Sequence, residues 1–296
     1  MKRLGGKLQG RRGYLLLLVA VLTCCLLLPG PKPVAAEVNN VFYVGVGVVG
    51  LLAAGAIGYG LYETKMRPDQ PRLLDGEFYI GGYMGASFAQ NQNLKYDNGA
   101  VLNNGLTTFN VPPFTLSGNR FQPGVVGGLK FGYFFKSIPY LGLEGETNVA
   151  PNRVRSQTLA ASPRVFGNNP VTMTNQDWIN WTSALHIVGR YGFFKDSEVP
   201  FGRLQPYVGI GPGLVVMYDQ QDAAKNFAID VMAGIRYMML KNVSAYVEYK
   251  YNHQFDAEME THTFIVPPNF SGGAQGGTAH LPFDLHRIVF GVAYHF

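Results

Sequence analysis

Between Gly76 and Phe296 the sequence alternates apolar residues with small or polar ones in eight separate stretches, and no other feature constrains the fold as strongly. Side chains of a strand point to opposite faces with a period of two, whereas a helix repeats every 3.6 residues, so the pattern predicts strands. The stretches run over about 77–88, 124–135, 140–149, 179–193, 203–218, 226–240, 243–256 and 283–296. In the sixth, Phe227, Ile229, Val231, Ala233, Ile235, Tyr237 and Met239 share one face, opposite Ala228, Asp230, Met232, Gly234 and Arg236. The seventh sets Val243, Ala245, Val247, Tyr249 and Tyr251 against Ser244, Tyr246, Glu248, Lys250 and Asn252. In the third, Leu141, Leu143 and Val149 oppose Glu144, Glu146 and Asn148; in the eighth, Ile288, Phe290, Val292, Tyr294 and Phe296 oppose Arg287, Gly291 and His295.

A soluble sandwich or lipocalin-like barrel would turn the apolar faces inward, and a membrane barrel would turn them to lipid. Connection length favours the second. The connections 89–123, 136–139, 150–178, 194–202, 219–225, 241–242 and 257–282 are long, short, long, short, short, short and long. Counted from the periplasm, the odd-numbered ones fall outside the cell, and three of those four are the long ones, the asymmetry of membrane barrels. Aromatic residues crowd the short-turn ends: Tyr133, Phe134, Phe135, Tyr140, Tyr191, Phe193, Phe194, Tyr237, Tyr294 and Phe296 are expected to form an interfacial girdle.

The N-terminus distorts the composition. Met1 to Gly13 carries five basic residues and no acid, Tyr14 to Leu28 is apolar, and Val34-Ala35-Ala36 precedes Glu37, the layout of a secretory signal peptide cleaved after residue 36. Its very apolar core favours the general secretory route over twin-arginine export. Removing it takes six basic residues from a total of 24 and leaves the 19 acidic ones, so the mature charge is about −1. The basic balance therefore belongs to the export signal and does not argue for nucleic acid. Both cysteines, Cys24 and Cys25, leave with it, which suits an oxidising compartment. Residues 37–75 then hold an apolar helical segment, Val41 to Tyr62, and a linker. The segment is long enough to cross a bilayer, and Gly50, Ala54 and Gly58 are spaced for close helix packing, as in a homo-oligomer. Its place stays open between the outer membrane, the periplasm and an inner-membrane anchor for a soluble β-barrel ligand binder.

The final strand reads Gly291, Tyr294, Phe296 in a Gly-x-x-aromatic-x-aromatic pattern, with Val289 where that pattern prefers a polar residue. With Pro206-Tyr207-Val208-Gly209-Ile210-Gly211-Pro212-Gly213 and Val247-Glu248-Tyr249-Lys250-Tyr251, residues 76–296 resemble the small outer-membrane β-barrel family of OmpA transmembrane-domain and opacity-protein type. No counterpart of the OmpA-like peptidoglycan-binding domain is expected. The resemblance implies an all-β fold, an eight-stranded antiparallel up-and-down transmembrane β-barrel in the outer membrane of a Gram-negative bacterium. It implies that Gly291, Tyr294 and Phe296 form an assembly signal for the barrel-assembly machinery and that the outer face meets outer-membrane lipids; Arg153, Arg155 and Arg164 of the second long loop are candidates for lipopolysaccharide phosphates, with ordinary solvated loop charge as the alternative.

Eight strands close a barrel whose interior side chains just fill it. The inward faces carry Lys130, Arg190, Arg236, Lys250 and Arg287 against Glu144, Glu146, Asp230 and Glu248. By distance from the short turns, Lys130, Glu144, Glu146, Arg190, Arg236, Glu248 and Lys250 are expected in one layer, a charge-paired plug.

Chemistry is sparse. A lipid hydrolase would need Ser, His and an acid together. None of His186, His253, His262, His280, His286 and His295 has Ser two residues on, and His253 and His286 read as polar residues of the outer rim. His262 and His280 share a loop without tight ligand spacing, so no metal, cofactor or catalytic residue is expected. Gly209 to Gly213 lies in a strand and is no phosphate loop. Function is expected in the long loops, where Phe109, Phe114 and Phe121, and Arg153, Arg155 and Arg164, are the prominent side chains. The expectation is a non-catalytic barrel for envelope integrity or surface interaction, with a narrow pore or transporter of small or apolar solutes as the alternative.

Overall fold

The computed structural model describes residues 76–296 apart from 104–105, 219–221, 261–263, 267–269 and 273–276. The signal peptide 1–36, the apolar segment 41–62 with Gly50, Ala54 and Gly58, and the linker to 75 lie outside the described residues.

Eight long strands form a closed ring: β1 (Gly76–Ala89), β2 (Gly124–Phe135), β3 (Leu141–Val154), β4 (Gln176–Arg190), β5 (Leu204–Tyr218), β6 (Ala223–Leu240), β7 (Val243–Glu260) and β8 (Thr278–His295). Each pairs antiparallel with its chain neighbour, and β8 returns to β1 with Tyr79 opposite His295 and Ala89 opposite Leu285. Closure leaves neither edge of the ring unpaired, which is the condition for a sheet to sit in hydrocarbon. All eight stretches of alternation become ring strands, but several run further than the alternation does. β3 continues to Val154, β7 to Glu260, and β4 and β8 begin at Gln176 and Thr278. There the outward positions are polar, as at Arg153, Asp177 and Glu258, so apolar alternation fades while backbone pairing continues.

Burial is inverted relative to a soluble barrel. Lys130, Glu144, Lys250, Asp230 and Arg287 are completely buried, while Val125, Val208 and Phe290 are each more than 60% exposed on the outside. The apolar stripes therefore face outward along the whole ring, as a lipid-facing band does. Most of the expected girdle is outward, with Tyr140, Tyr191, Phe193, Phe194, Tyr237 and Tyr294 exposed and edge-on ring pairs at Tyr191–Phe193 and Tyr294–Phe296. Phe134 is the correction: it is buried in the lumen and stacks on Tyr79. Neighbouring residues of a strand cannot share a face, so Phe134 points away from Tyr133 and Phe135.

The long connections are structured. Short strands at Gln92–Tyr96, Phe114–Asn119, Gln157–Ser162, Val171–Met173, Phe264–Val266, Phe270–Gly272, Ala100–Asn103 and Thr108–Val111 pair successively, starting from β8 through His280 and Lys95. Phe114 and Phe121, expected as loop side chains, face the interior: Phe114 stacks on Tyr96 at 4.7 Å, and Phe121 meets Trp178 and Phe283 edge-on at 5.3 and 5.1 Å. Phe109 remains exposed. Among the arginines, Arg153 pairs with Asp177 at 2.9 Å on the surface and Arg164 donates to Asn168 at 3.4 Å.

Candidate functional site

The lumen is the site that the inward faces build, and four tyrosines set its frame. Tyr79, Tyr83, Tyr207 and Tyr246 each stand directly across a strand pair from a glycine, at Gly132, Gly128, Gly234 and Gly291 respectively. Each ring lies over the bare backbone opposite it. A Cβ at Gly132 would overlap the Tyr79 ring, and one at Gly291 the Tyr246 ring. The glycines let bulky rings lie along the wall of a narrow barrel.

Three of the tyrosine hydroxyls meet carboxylates, and the fourth, of Tyr246, donates to the backbone carbonyl of Gly82 at 3.3 Å. Tyr79 donates to Glu144, Tyr207 to Glu248, and Tyr83 to Glu146 at 3.3 Å. Between the carboxylates sit two ammonium groups. Lys130 bridges Glu248 and Glu144, the latter at 3.4 Å, and Lys250 bridges Glu146 and Glu248, the latter at 3.4 Å. Lys130 also lies 4.0 Å from the centre of the Tyr246 ring. Two ammoniums against three carboxylates leave one negative charge over. Arg236 balances it from outside the salt-bridge lattice: its guanidinium lies 4.3 Å from the Tyr79 ring and 5.2 Å from that of Tyr207. The expected single layer thus keeps Lys130, Glu144, Glu146, Glu248 and Lys250 in contact, while Arg236 is held on aromatic faces and forms no ion pair with a described carboxylate.

Arg190 departs further from the expected layer. It sits in a lower tier at the short-turn end, forked onto Glu77 with one bond of 3.0 Å, donating to Gln205 at 3.1 Å, and lying 3.5 Å from the Phe134 ring. Glu77, absent from the expected inward set, is the acid that balances it. The same carboxylate accepts from His295 Nδ1 at 2.6 Å, and His295 Nε2 lies 2.8 Å from Ser244 Oγ. Ser, His and acid therefore stand in catalytic order across β7, β8 and β1. A search along single strands could not find that arrangement. Ser244 is fully buried, however, and Glu77 is shared with Arg190.

An upper tier lies towards the long connections. Asp230 accepts from Asn252 at 3.0 Å, stands 3.0 Å from His186 Nε2 and 3.6 Å from Arg287, and Arg287 donates to Thr182 at 2.9 Å. With histidines neutral, each of the three tiers sums to zero charge. Beyond them the filling turns apolar: Trp178, Phe283, Leu94, Leu116, Met173, Met259, Leu281 and Leu285 are buried together, with Trp178 and Phe283 stacked.

On the outside, His253 and His286 lie where the apolar band gives way to polar residues. His253 Nδ1 is 2.6 Å from Asp284, and His286 lies between Tyr249, at 2.6 Å, and Gln90, at 2.7 Å. His262 lies outside the described residues.

The chain matches the family model described as "Outer membrane protein beta-barrel domain" over residues 67–296. No curated protein matches it. Among solved structures it is similar to Neisserial surface protein A, at 12% identity over 74% of this chain and 97% of that one, with a TM-score of 0.40. OprG of Pseudomonas aeruginosa shows 14% identity over 75% and 96%, with a TM-score of 0.43. The attachment invasion locus protein Ail of Yersinia pestis, in complex with the heparin analogue sucrose octasulfate, shows 11% over 75% and 99%, with a TM-score of 0.37.

Proposed function

This chain belongs to the outer-membrane protein β-barrel family, and from that premise we propose that it is a closed, non-catalytic barrel of the Gram-negative outer membrane, serving envelope integrity or surface interaction. One observation carries the reading: side chains fill the lumen in successive tiers, three of them charge-balanced and the last apolar. Moving an ion through such a stack would require stripping it of water while separating buried ion pairs, each several kcal/mol costly. Single-channel recording of the protein in planar bilayers is the direct test. No steady conductance is expected; reproducible open steps would favour the pore or transporter alternative.

The absence of catalysis is part of the proposal, and Ser244 is where it is exposed to test. A nucleophile needs space for a carbonyl carbon within reach of its oxygen, and a donor for the oxyanion that forms. Ser244 is enclosed on all sides, and its contact with His295 and Glu77 reads as a hydrogen-bond relay that satisfies buried polar groups. A fluorophosphonate probe applied to the folded protein should leave Ser244 unlabelled. Labelling abolished by Ser244→Ala and by His295→Ala would make the relay a working triad.

In this reading residues 1–36 direct export by the general secretory route, the barrel-assembly machinery inserts residues 76–296, and the segment 41–62 serves self-association. In the same reading the exposed apolar band meets outer-membrane lipids, and the arginines of the 150–178 connection meet lipopolysaccharide phosphates.

A further inference from the structure

Near its long-connection end β7 contains a bulge. Gln254 pairs with Phe283 and Ala257 with Leu281, so β7 spends three steps where β8 spends two. Such an extra residue re-aims the side chains beyond it. Before the bulge the even-numbered residues of β7 point into the lumen, as Lys250, Asn252 and Gln254 do; after it Ala257 and Met259 point in, and Asp256 and Glu258 point out. His280 of β8 stands directly across from Glu258. The bulge thus brings two carboxylates from one strand onto one imidazole of the next, beyond the apolar band.

We propose that Asp256, Glu258 and His280 form a surface site for a divalent cation of the zinc class. One ligand atom from each lies within 4.8 Å of the other two. His280 Nδ1 is 3.2 Å from Asp256 Oδ2 and 3.8 Å from Glu258 Oε1. Bonds of about 2.0–2.1 Å in a tetrahedron put neighbouring donors about 3.3–3.4 Å apart, so the Asp256 oxygen already stands at ligand spacing from the imidazole nitrogen and the Glu258 oxygen needs a shift of a few tenths of an ångström to reach it. The carboxylates are 53% and 65% exposed, which leaves the fourth position to water. Imidazole with carboxylate selects the borderline transition cations over calcium and magnesium, which take oxygen alone. With the imidazole neutral the trio carries two negative charges, and the ammonium of Lys95, across from His280 on the other side, is held by Asp97 at 2.9 Å. Among the described residues the other gathering of this kind, Glu144, Glu146 and His186, is committed to Lys130, Lys250 and Asp230 in the lumen.

The test is a calorimetric titration of the full-length protein, purified in detergent without a histidine tag, with Zn²⁺ alone. One saturable equivalent is expected, with affinity lowered roughly tenfold or more by each of His280→Ala, Asp256→Asn and Glu258→Gln. The heat-dependent gel mobility of each variant shows that the barrel is intact, since all three positions face outward. A hundredfold excess of Mg²⁺ should leave the Zn²⁺ equivalent in place. Binding unaffected by His280→Ala, or displaced by Mg²⁺, would reduce the trio to diffuse acidic surface. No saturable binding would leave only a histidine ion-paired to two acids.

Discussion

Replacing Glu248 by alanine should lower the unfolding free energy of the barrel by about 3–5 kcal/mol, seen as an earlier urea midpoint and loss of the compact gel band at lower temperature. Glu248 is the carboxylate that both ammonium groups share, and it accepts the Tyr207 hydroxyl besides. Without it Lys130 keeps Glu144, and Lys250 keeps Glu146, but each loses its second counter-charge in a space that water does not reach. Removing one partner of a buried pair is far costlier than removing a surface charge, because the remaining partner keeps its desolvation penalty. Lys95→Ala, which breaks an exposed pair with Asp97, is the matched control and should change stability by less than about 1 kcal/mol. Equal, small effects of both changes would mean that the central tier is hydrated and that the lumen is not a packed interior.

The inward charges were legible in the sequence because a strand's period of two sorts side chains without knowledge of the partner strand. Lys130, Glu144, Glu146, Glu248 and Lys250 follow from parity alone, and so would Glu77, which shares the inward face of Tyr79. What parity cannot supply is register. That Tyr246 lies over Gly291, or that Ser244 reaches His295, depends on which residues stand opposite each other once the ring closes. Phe134 obeys the same parity that places the charges: in a run of three aromatics the middle one faces inward. The bulge at Asp256 was invisible for a different reason: an inserted residue reverses the parity of everything after it, and beyond the apolar band there is no hydrophobic alternation left to reveal the reversal.

The apolar filling above the ionic tiers, a packed cap on the lumen, was illegible on a third ground. Phe114, Phe121, Trp178 and Phe283 lie in segments rich in glycine and asparagine or at the frayed edge of the alternation, and only the folding of separate long connections onto one another unites them. This unity carries a consequence for the alternative that the barrel passes apolar solutes, since an apolar cap could serve either as a plug or as a greasy entrance. Phe283→Ala separates the two. Phe283 is fully buried between Phe121 and Trp178, and its truncation in a packed core should cost about 3–5 kcal/mol, again read from the urea midpoint. Steady conductance should nevertheless stay absent, because Lys130, Lys250 and their three carboxylates close the lumen below the cap independently of it. A variant of unchanged stability would show that the cap is loosely packed, as an entrance must be. A destabilised variant that conducts would place the closure in the cap, and the ionic tiers would then be the polar lining of a channel.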